Sequence, residues 1–280
     1  MTTRPDPMLV VVQVLGMSGE DEMVASFLSG ELTSRRFGPN LRSRLAAGGQ
    51  AERLLTHPDL SDAGANFARR ALLAATRGYG ENRDLFENFP GRVTWIRALL
   101  SADEASGVRY LDYSYWVELS GGSRRPADAA ARIKAGRRAF DVPNEPFVDA
   151  AHVLNRGERF PPLIFVGERQ DALVCLEGNL RLTAYALAGF PTEIECLIGT
   201  APAMGRWACW QPMWSSWARP WPASSSSVHP PRCGRGGWAE WENLEEAPGH
   251  RADPGARTMS SPTTRWDTAN CRRGRCAGGS

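Results

Sequence analysis

The stretch that most constrains the fold of this chain is residues 173–189, LVCLEGNLRLTAYALAG. It begins with four consecutive apolar residues, as a buried strand does, and continues into a polar turn at residues 177–179. Residues 180–188 then have the apolar spacing of a helix, and Gly189 follows as a helix-ending glycine. The stretch therefore predicts a strand, a tight turn and a helix.

The turn at Gly178 predicts a phosphate-binding site. A strand that leads through a tight turn into a helix points the free N–H groups of the first helical turn at one place, where the helix dipole adds partial positive charge. Gly178 lets a ligand approach the backbone closely, and Arg181 is a cation in the first turn that a bound anion would compensate. The alternative is an ordinary βα turn in which Arg181 pairs with Glu177 or with a carboxylate elsewhere.

The region from residue 147 to residue 199 resembles the core of the ParB/sulfiredoxin-like superfamily, and the chain looks like a bacterial member of it. The resemblance covers about a fifth of the chain, and it rests on the order and spacing of several elements. These elements are an amphipathic helix at 147–154, a strand PPLIFV that starts with Pro161 and Pro162, the turn Glu177-Gly178-Asn179-Leu180-Arg181 in place of the family's G-x-x-R motif, a helix ending at Gly189, and a closing strand at 194–198.

The resemblance implies a nucleoside triphosphate with Mg²⁺, or another small phosphate-bearing ligand, held at this helix. The residues it assigns to phosphate binding are Gly178, Asn179, Leu180, Arg181 and Thr183, with Arg124 or Arg125 as a further arginine near the phosphates. Glu177 is the candidate for Mg²⁺ coordination or for general-base catalysis, because it stands beside the expected phosphate. An N-capping role for the Glu177 carboxylate is the alternative.

Departures from the family pattern leave the activity open. Sulfiredoxins have a cysteine directly after the motif glycine, and here that residue is Asn179, so sulfinic acid reduction has no nucleophile. Partition proteins carry two arginines in the turn, and only Arg181 matches. The leading function is phosphate or nucleotide binding, with hydrolysis or phosphoryl transfer undecided. The alternatives are a DNA-binding or nuclease module and a non-catalytic interaction protein that kept the fold.

The pattern as a whole predicts an α/β (α+β) protein with a small mixed sheet and flanking helices. Residues 1–105 are expected to be mainly helical after an initial strand at 9–15, and 106–206 to form the ParB/sulfiredoxin-like domain. The apolar spacing predicts a helix at 63–76, capped by Asp62, with Phe67, Ala71 and Ala74 turned inward. The alternating aromatic residues at 108–116 are typical of a strand.

The composition changes after Trp207. From there to the end, Val228 and Leu244 are the only residues of the Val, Ile, Leu and Phe set. Such a segment buries too little aliphatic surface to offset the ordering entropy, so 207–280 is predicted to be a disordered low-complexity tail, or the product of a frameshift. An arginine- and tryptophan-rich nucleic-acid-binding tail is the alternative.

Net charge and hydropathy predict a cytoplasmic protein without a membrane partner. The formal net charge is +2, which favours no strong nucleic-acid partner. The chain opens without the pattern of a signal peptide and contains no apolar run long enough to span a bilayer. Its six cysteines lack metal-ligand spacing, and Cys175 and Cys196 are expected to be buried thiols.

Overall fold

The computed structural model of the chain describes residues 12–210. The strands are β1 (Gln13–Ser18), β2 (Thr94–Leu100), β3 (Arg109–Tyr110), β4 (Leu163–Gly167), β5 (Leu173–Glu177) and β6 (Ile194–Thr200). The α-helices are α1 (Glu20–Leu32), α2 (Gly38–Ala47), α3 (Arg53–Thr56), α4 (Ala63–Arg77), α5 (Ala102–Gly107), α6 (Ser114–Leu119), α7 (Pro126–Lys134), α8 (Glu145–Asn155) and α9 (Asn179–Leu187). Short 3₁₀ turns lie at Asp84–Phe86 and Met204–Arg206.

The strands form one mixed sheet in the order β1-β2-β6-β4-β5-β3. The pairs β1·β2, β2·β6 and β4·β5 are antiparallel, whereas β4·β6 and β5·β3 are parallel. This arrangement confirms the predicted fold class, a mixed sheet with flanking helices. The sheet also contains strands from both sides of the boundary predicted at residues 105 and 106.

Both faces of the sheet are covered by helices, because successive side chains of a strand point to opposite faces. In β4, Leu163 and Phe165 join a core with α7, α8 and α9. Ile164 and Val166 join a second core with α1, α2, α3 and α4. The N-terminal helices therefore pack on one face, and the helices on either side of β4 and β5 pack on the other.

Helix α4 begins and ends as predicted but buries a different face. Asp62 caps it by accepting a hydrogen bond from Ala65 N–H, and Gly78 ends it with φ 79°. The predicted inward positions of Phe67 and Ala71 are wrong, since Phe67 is 69% exposed and Ala71 is also exposed. The buried face carries Asn66 and Arg69, whose side chains donate hydrogen bonds to carbonyl groups of α3 and of the segment that follows it.

Two local predictions in the middle of the chain were wrong. Strand β2 lies in a region expected to be helical, and it pairs with both β1 and β6. The strand expected at 108–116 is limited to the two residues of β3. The aromatic side chains that follow are on or next to α6, where Trp116 stacks on Tyr110 with ring centroids 4.9 Å apart.

The last residues of the described segment, 207–210, belong to the predicted disordered tail but are folded. Trp207 and Cys209 are buried in the core that includes the N-terminal helices, and Trp207 Nε1 donates to Leu85 O at 2.7 Å. Residues 207–210 thus pack as part of the folded unit. The rest of the predicted tail, 211–280, and the first part of the predicted initial strand lie outside the described residues. None of the helices between residues 12 and 210 is long and apolar enough to cross a bilayer.

Candidate functional site

The predicted strand, turn and helix form at residues 173–189. β5 ends at Glu177, Gly178 turns the chain with φ 95°, and α9 begins at Asn179. A Cβ atom at Gly178 would lie 2.4 Å from Leu163 Cδ2 and 3.1 Å from Arg181 Nη2. Two features therefore require glycine at residue 178, the left-handed backbone conformation and the close approach of β4. Gly189 follows α9 with φ 79°, as the predicted helix-ending glycine.

The amino end of α9 has no cap from a side chain. Gly178 precedes the helix without a side-chain acceptor, and the first turn contains no acidic residue. The first hydrogen bond into the helix is donated by Leu182 N–H to Gly178 O at 2.8 Å. Within residues 12–210, the backbone N–H groups of Asn179, Leu180 and Arg181 have no hydrogen-bond acceptor. They are the donors that a helix leaves free at this end.

Two side chains of this turn are placed differently from each other. Leu180 is 39% exposed, so this side of the turn faces solvent. Asn179 is 8% exposed, and its buried Oδ1 has no hydrogen-bond partner among the described residues. The atom without a partner is an acceptor, so a ligand group that donates a hydrogen bond would satisfy it, whereas the oxygens of a phosphate would not.

The Arg181 guanidinium lies back over the turn. Nη1 donates to Pro161 O at 2.7 Å and to Pro162 O at 3.3 Å. Nη2 forms an ion pair with the carboxylate of Glu177, four residues earlier. Both side chains are 13% exposed. This pairing of Arg181 with Glu177 is the one that the alternative interpretation of the sequence expected, and the two prolines serve as acceptors through their carbonyl groups.

Glu177 is held at the junction of the sheet with α1. A Cβ atom at Gly30 would lie 2.8 Å from Glu177 Oε2, so α1 can approach the carboxylate only because residue 30 is glycine. Burial raises the pKa of Glu177, against the opposing effects of the Arg181 and Arg77 guanidinium groups and of a hydrogen bond from Gly178 N–H. Glu177 does not cap α9 with its side chain.

The structure adds two residues that sequence reasoning missed, Glu31 and Arg77. Arg77 Nε lies 2.8 Å from Glu31 Oε1, and the Glu31 side chain is 5% exposed. Glu31 Oε2 is buried and has no hydrogen-bond partner in the described part of the chain. Burial raises the pKa of Glu31 to about 7; Arg77 and Arg36 lower it and Glu177 raises it. We call Glu31, Arg77, Glu177 and Arg181 the charge cluster.

A signal for Glu31 exists in the sequence. The buried residues of α1 recur at helical spacing through Val24, Phe27 and Leu28, and Glu31 continues this stripe. A carboxylate on a buried stripe requires a partner of opposite charge. The identity of that partner cannot be predicted in the same way, because Arg77 and Glu177 are far from Glu31 in sequence.

The remaining residues predicted to bind phosphate are Thr183, Arg124 and Arg125. Thr183 and Arg124 are buried and bonded within the protein, and Arg125 is exposed. Thr183 is fully buried, and its hydroxyl group bonds Asn179 O at 2.8 Å and the Tyr110 hydroxyl group at 2.6 Å. Arg124 is 2% exposed and donates to the carbonyl groups of Tyr110, Cys209 and Trp210. Arg124 thus ties the end of the described segment to β3. Arg125 is exposed just before α7.

Two further predictions concern metal ions and thiols. No group of three or more metal-ligating side chains occurs between residues 12 and 210. The Glu177 carboxylate is already bound to Arg181, so the cluster does not fit a magnesium site made by protein ligands alone. Cys175 and Cys196 are buried free thiols, as predicted.

A shallow cleft elsewhere was not predicted. It lies between α3 and the start of α4, and it is lined by residues that include His57, Asp59, Asp62 and Arg69. Its acidic side chains already accept hydrogen bonds, Asp59 from Ser61 and Asp62 from Ala65. The two carboxylates of the cleft are therefore already engaged by backbone N–H groups of the chain itself.

Compared with protein-family models, with curated proteins and with solved structures, the chain gives no match. The resemblance to the ParB/sulfiredoxin-like superfamily therefore stays a prediction that rests on the residues of its motif.

Proposed function

We propose that this protein binds a small phosphate-bearing ligand, in the first place a nucleotide, at the amino end of α9. The observation that carries the proposal is the set of three backbone N–H groups at residues 179–181, which have no acceptor in the part of the chain that the structure describes. A helix amino terminus with free donors and no acidic side chain favours anions. Gly178 is itself buried, so a ligand would approach the turn from the side of the exposed Leu180.

Arg181 contributes positive charge from the position it already occupies. Its guanidinium lies within the same turn, held by Glu177 and by Pro161 O. A phosphate at the backbone donors would compete with Glu177 for Nη2 while Nη1 keeps its carbonyl partner. Any Mg²⁺ would enter with the nucleotide phosphates, and hydrolysis or phosphoryl transfer would depend on positioning and charge neutralisation.

The test uses Leu180, whose exposed side chain stands in the first turn of α9. Leu180→Glu places a carboxylate where the phosphate would bind, yet an acidic residue in the first turn is favourable for the helix itself. Leu180→Gln is the matched neutral control. The full chain and both variants are titrated with ATP, CTP, GTP and UTP, each with and without Mg²⁺, by calorimetry and by thermal shift.

We expect one or more of these nucleotides to bind the wild type and the Leu180→Gln variant, and binding to the Leu180→Glu variant to be at least about tenfold weaker. A ligand at about 100 times its Kd stabilises the folded state by about 2.7 kcal/mol, which a melting curve detects. Binding by none of the four nucleotides, or equal binding to both variants, would reject the site.

A second candidate function is that of a non-catalytic interaction protein. It is favoured by the pairing of Arg181, since its guanidinium donates to Glu177, Pro161 and Pro162 within the chain. In that case the turn is a structural joint between β4, β5 and α9. Nucleotide binding without turnover, or no nucleotide binding at all, favours this candidate over an enzyme.

A further inference from the structure

The charge cluster balances two carboxylates against two guanidinium groups. Arg77 attracts both Glu31 and Glu177, and Arg181 is paired with Glu177. The side chains of Glu31, Arg77, Glu177 and Arg181 are 5, 18, 13 and 13% exposed. Water therefore screens them weakly, and any charge added at their edge changes the balance of the whole cluster.

The weakest member of this balance is Glu31. One of its oxygens faces Arg77 Nε at 2.8 Å, but Oε2 is buried and has no hydrogen-bond partner within residues 12–210. The charged groups that face it from the surrounding elements are Arg77 on α4, Glu177 on β5 and Arg36 in the segment after α1. The Arg77 guanidinium also lies over the ring of Phe37, with Cζ 4.0 Å from the ring centroid.

We propose that binding of an anion at the amino end of α9 is coupled to the uptake of a proton by Glu31. This inference rests on the proposed function. An anion that attracts Arg181 leaves Glu177 more dependent on Arg77, and Arg77 is then less available to Glu31. The cluster gains negative charge and no new positive group. Protonation of the Glu31 carboxylate removes the excess charge, and its O–H group becomes a neutral donor at the buried position.

The expected size of the coupling follows from the unliganded state. Since burial raises the pKa of Glu31 to about 7, the group is about half protonated at pH 7 before any ligand binds. Uptake at pH 7 is then at most about half a proton, and it rises toward one proton as the pH increases. Proton uptake weakens binding as pH rises, so affinity falls by up to about tenfold per pH unit above pH 7.

The ligand's own titration has the opposite sign. A phosphate monoester has a second pKa of about 6, so ATP becomes more negative between pH 6 and 7 and would bind more tightly. Measurements at pH 7 to 8.5 separate the two effects. Calorimetry at one pH in buffers of different ionisation enthalpy gives the number of protons taken up directly.

The experiment titrates the full wild-type chain with ATP, CTP, GTP and UTP, and follows the nucleotide that binds. Glu31→Gln replaces the titrating carboxyl by a neutral amide of the same shape. Glu52→Gln is the control, because Glu52 is a half-exposed carboxylate paired with Arg42 in the same part of the chain. We expect wild type and Glu52→Gln to take up protons and Glu31→Gln to bind without uptake at an affinity that is constant from pH 7 to 8.5.

The outcomes separate this inference from the function on which it rests. Failure of all four nucleotides to bind the wild type would overturn both. Clear binding with no proton uptake by the wild type would overturn the coupling and leave the binding site in place. Uptake that persists in Glu31→Gln would assign the proton to another group and also overturn the proposal. The wild-type measurement stands on its own if the variant does not fold.

Discussion

Replacement of Glu31 by glutamine should stabilise the protein at alkaline pH, although Glu31 is half of a buried ion pair. Removal of one partner of such a pair usually destabilises a protein by about 3–5 kcal/mol, because the other charge is left uncompensated. Here Arg77 keeps a second carboxylate, since it also attracts Glu177. Glu31, by contrast, has a buried oxygen that finds no hydrogen-bond partner among the residues that the structure describes.

The magnitude follows from the change in proton affinity on folding. Burial raises the pKa of Glu31 from 4.5 to about 7 despite the attraction of Arg77. The folded state therefore binds this proton more tightly, so the stabilisation is fully present below pH 4.5 and is lost as pH rises through 7. This shift of the Glu31 pKa on folding corresponds to about 3 kcal/mol in the free energy of unfolding, because one pKa unit is worth about 1.4 kcal/mol.

Glutamine resembles the protonated carboxyl at every pH, so the variant does not lose this stabilisation. We expect the free energy of unfolding of the Glu31→Gln variant to exceed that of the wild type by about 1 kcal/mol at pH 5 and by about 3 kcal/mol at pH 8. For a protein of this size the difference at pH 8 corresponds to a rise in Tm of about 6–12 °C.

Urea denaturation of both proteins at several pH values between 5 and 8.5 measures this difference. Glu52→Gln serves as the control, and we expect it to change stability by less than about 0.5 kcal/mol, since its ion pair is half exposed. If the Glu31→Gln variant is less stable than the wild type at pH 8, the attraction of Arg77 exceeds the cost of burial. The reasoning about Glu31, including its role as a proton acceptor, would then be wrong.

Two further predictions concern the backbone turn and the end of the described segment. Gly178→Ala should lower the free energy of unfolding by about 2–4 kcal/mol, and Gly189→Ala should lower it by about 1 kcal/mol. Both glycines have positive φ, but only a Cβ atom at residue 178 would contact Leu163 Cδ2, at 2.4 Å. Equal losses in urea denaturation would contradict the proposed contact. Arg124→Met should lower the free energy of unfolding by about 2–4 kcal/mol, because it removes the hydrogen bonds that Arg124 donates to the carbonyl groups of Tyr110, Cys209 and Trp210, and a loss below about 1 kcal/mol would contradict this role.

The strand–turn–helix at residues 173–189 was predictable because its signals are local. Four apolar residues, a glycine and a helical period lie next to one another in sequence. Strand β2 was not predictable in this way, since its partner β6 lies about a hundred residues later in the chain. Whether such a segment forms a strand depends on pairing with a segment distant in sequence. A short apolar run by itself does not distinguish a strand from a helix.

Polar satisfaction explains the error in α4. Hydrophobic spacing placed Phe67 inside, but the buried side of the helix contacts a loop that offers free carbonyl groups. Arg69 donates to Leu54 O and Asp59 O, and Asn66 Nδ2 donates to Leu60 O. Buried carbonyl groups need donors, so polar side chains occupy the inner face and the phenyl ring remains outside. Sequence periodicity contains no information about the acceptors that a distant loop presents.

The candidate site is similarly divided between local and distant contributions. The residues that resemble the ParB/sulfiredoxin-like motif place the backbone donors and Arg181, but they do not determine the state of Glu177. That state depends on Gly30, whose missing side chain admits the carboxylate against α1, and on Arg77 at the end of α4. Since α1 and α4 pack on the same face of the sheet, the N-terminal helices supply part of the electrostatic environment of the turn. A phosphate at α9 would therefore act on a network that the motif residues alone do not contain.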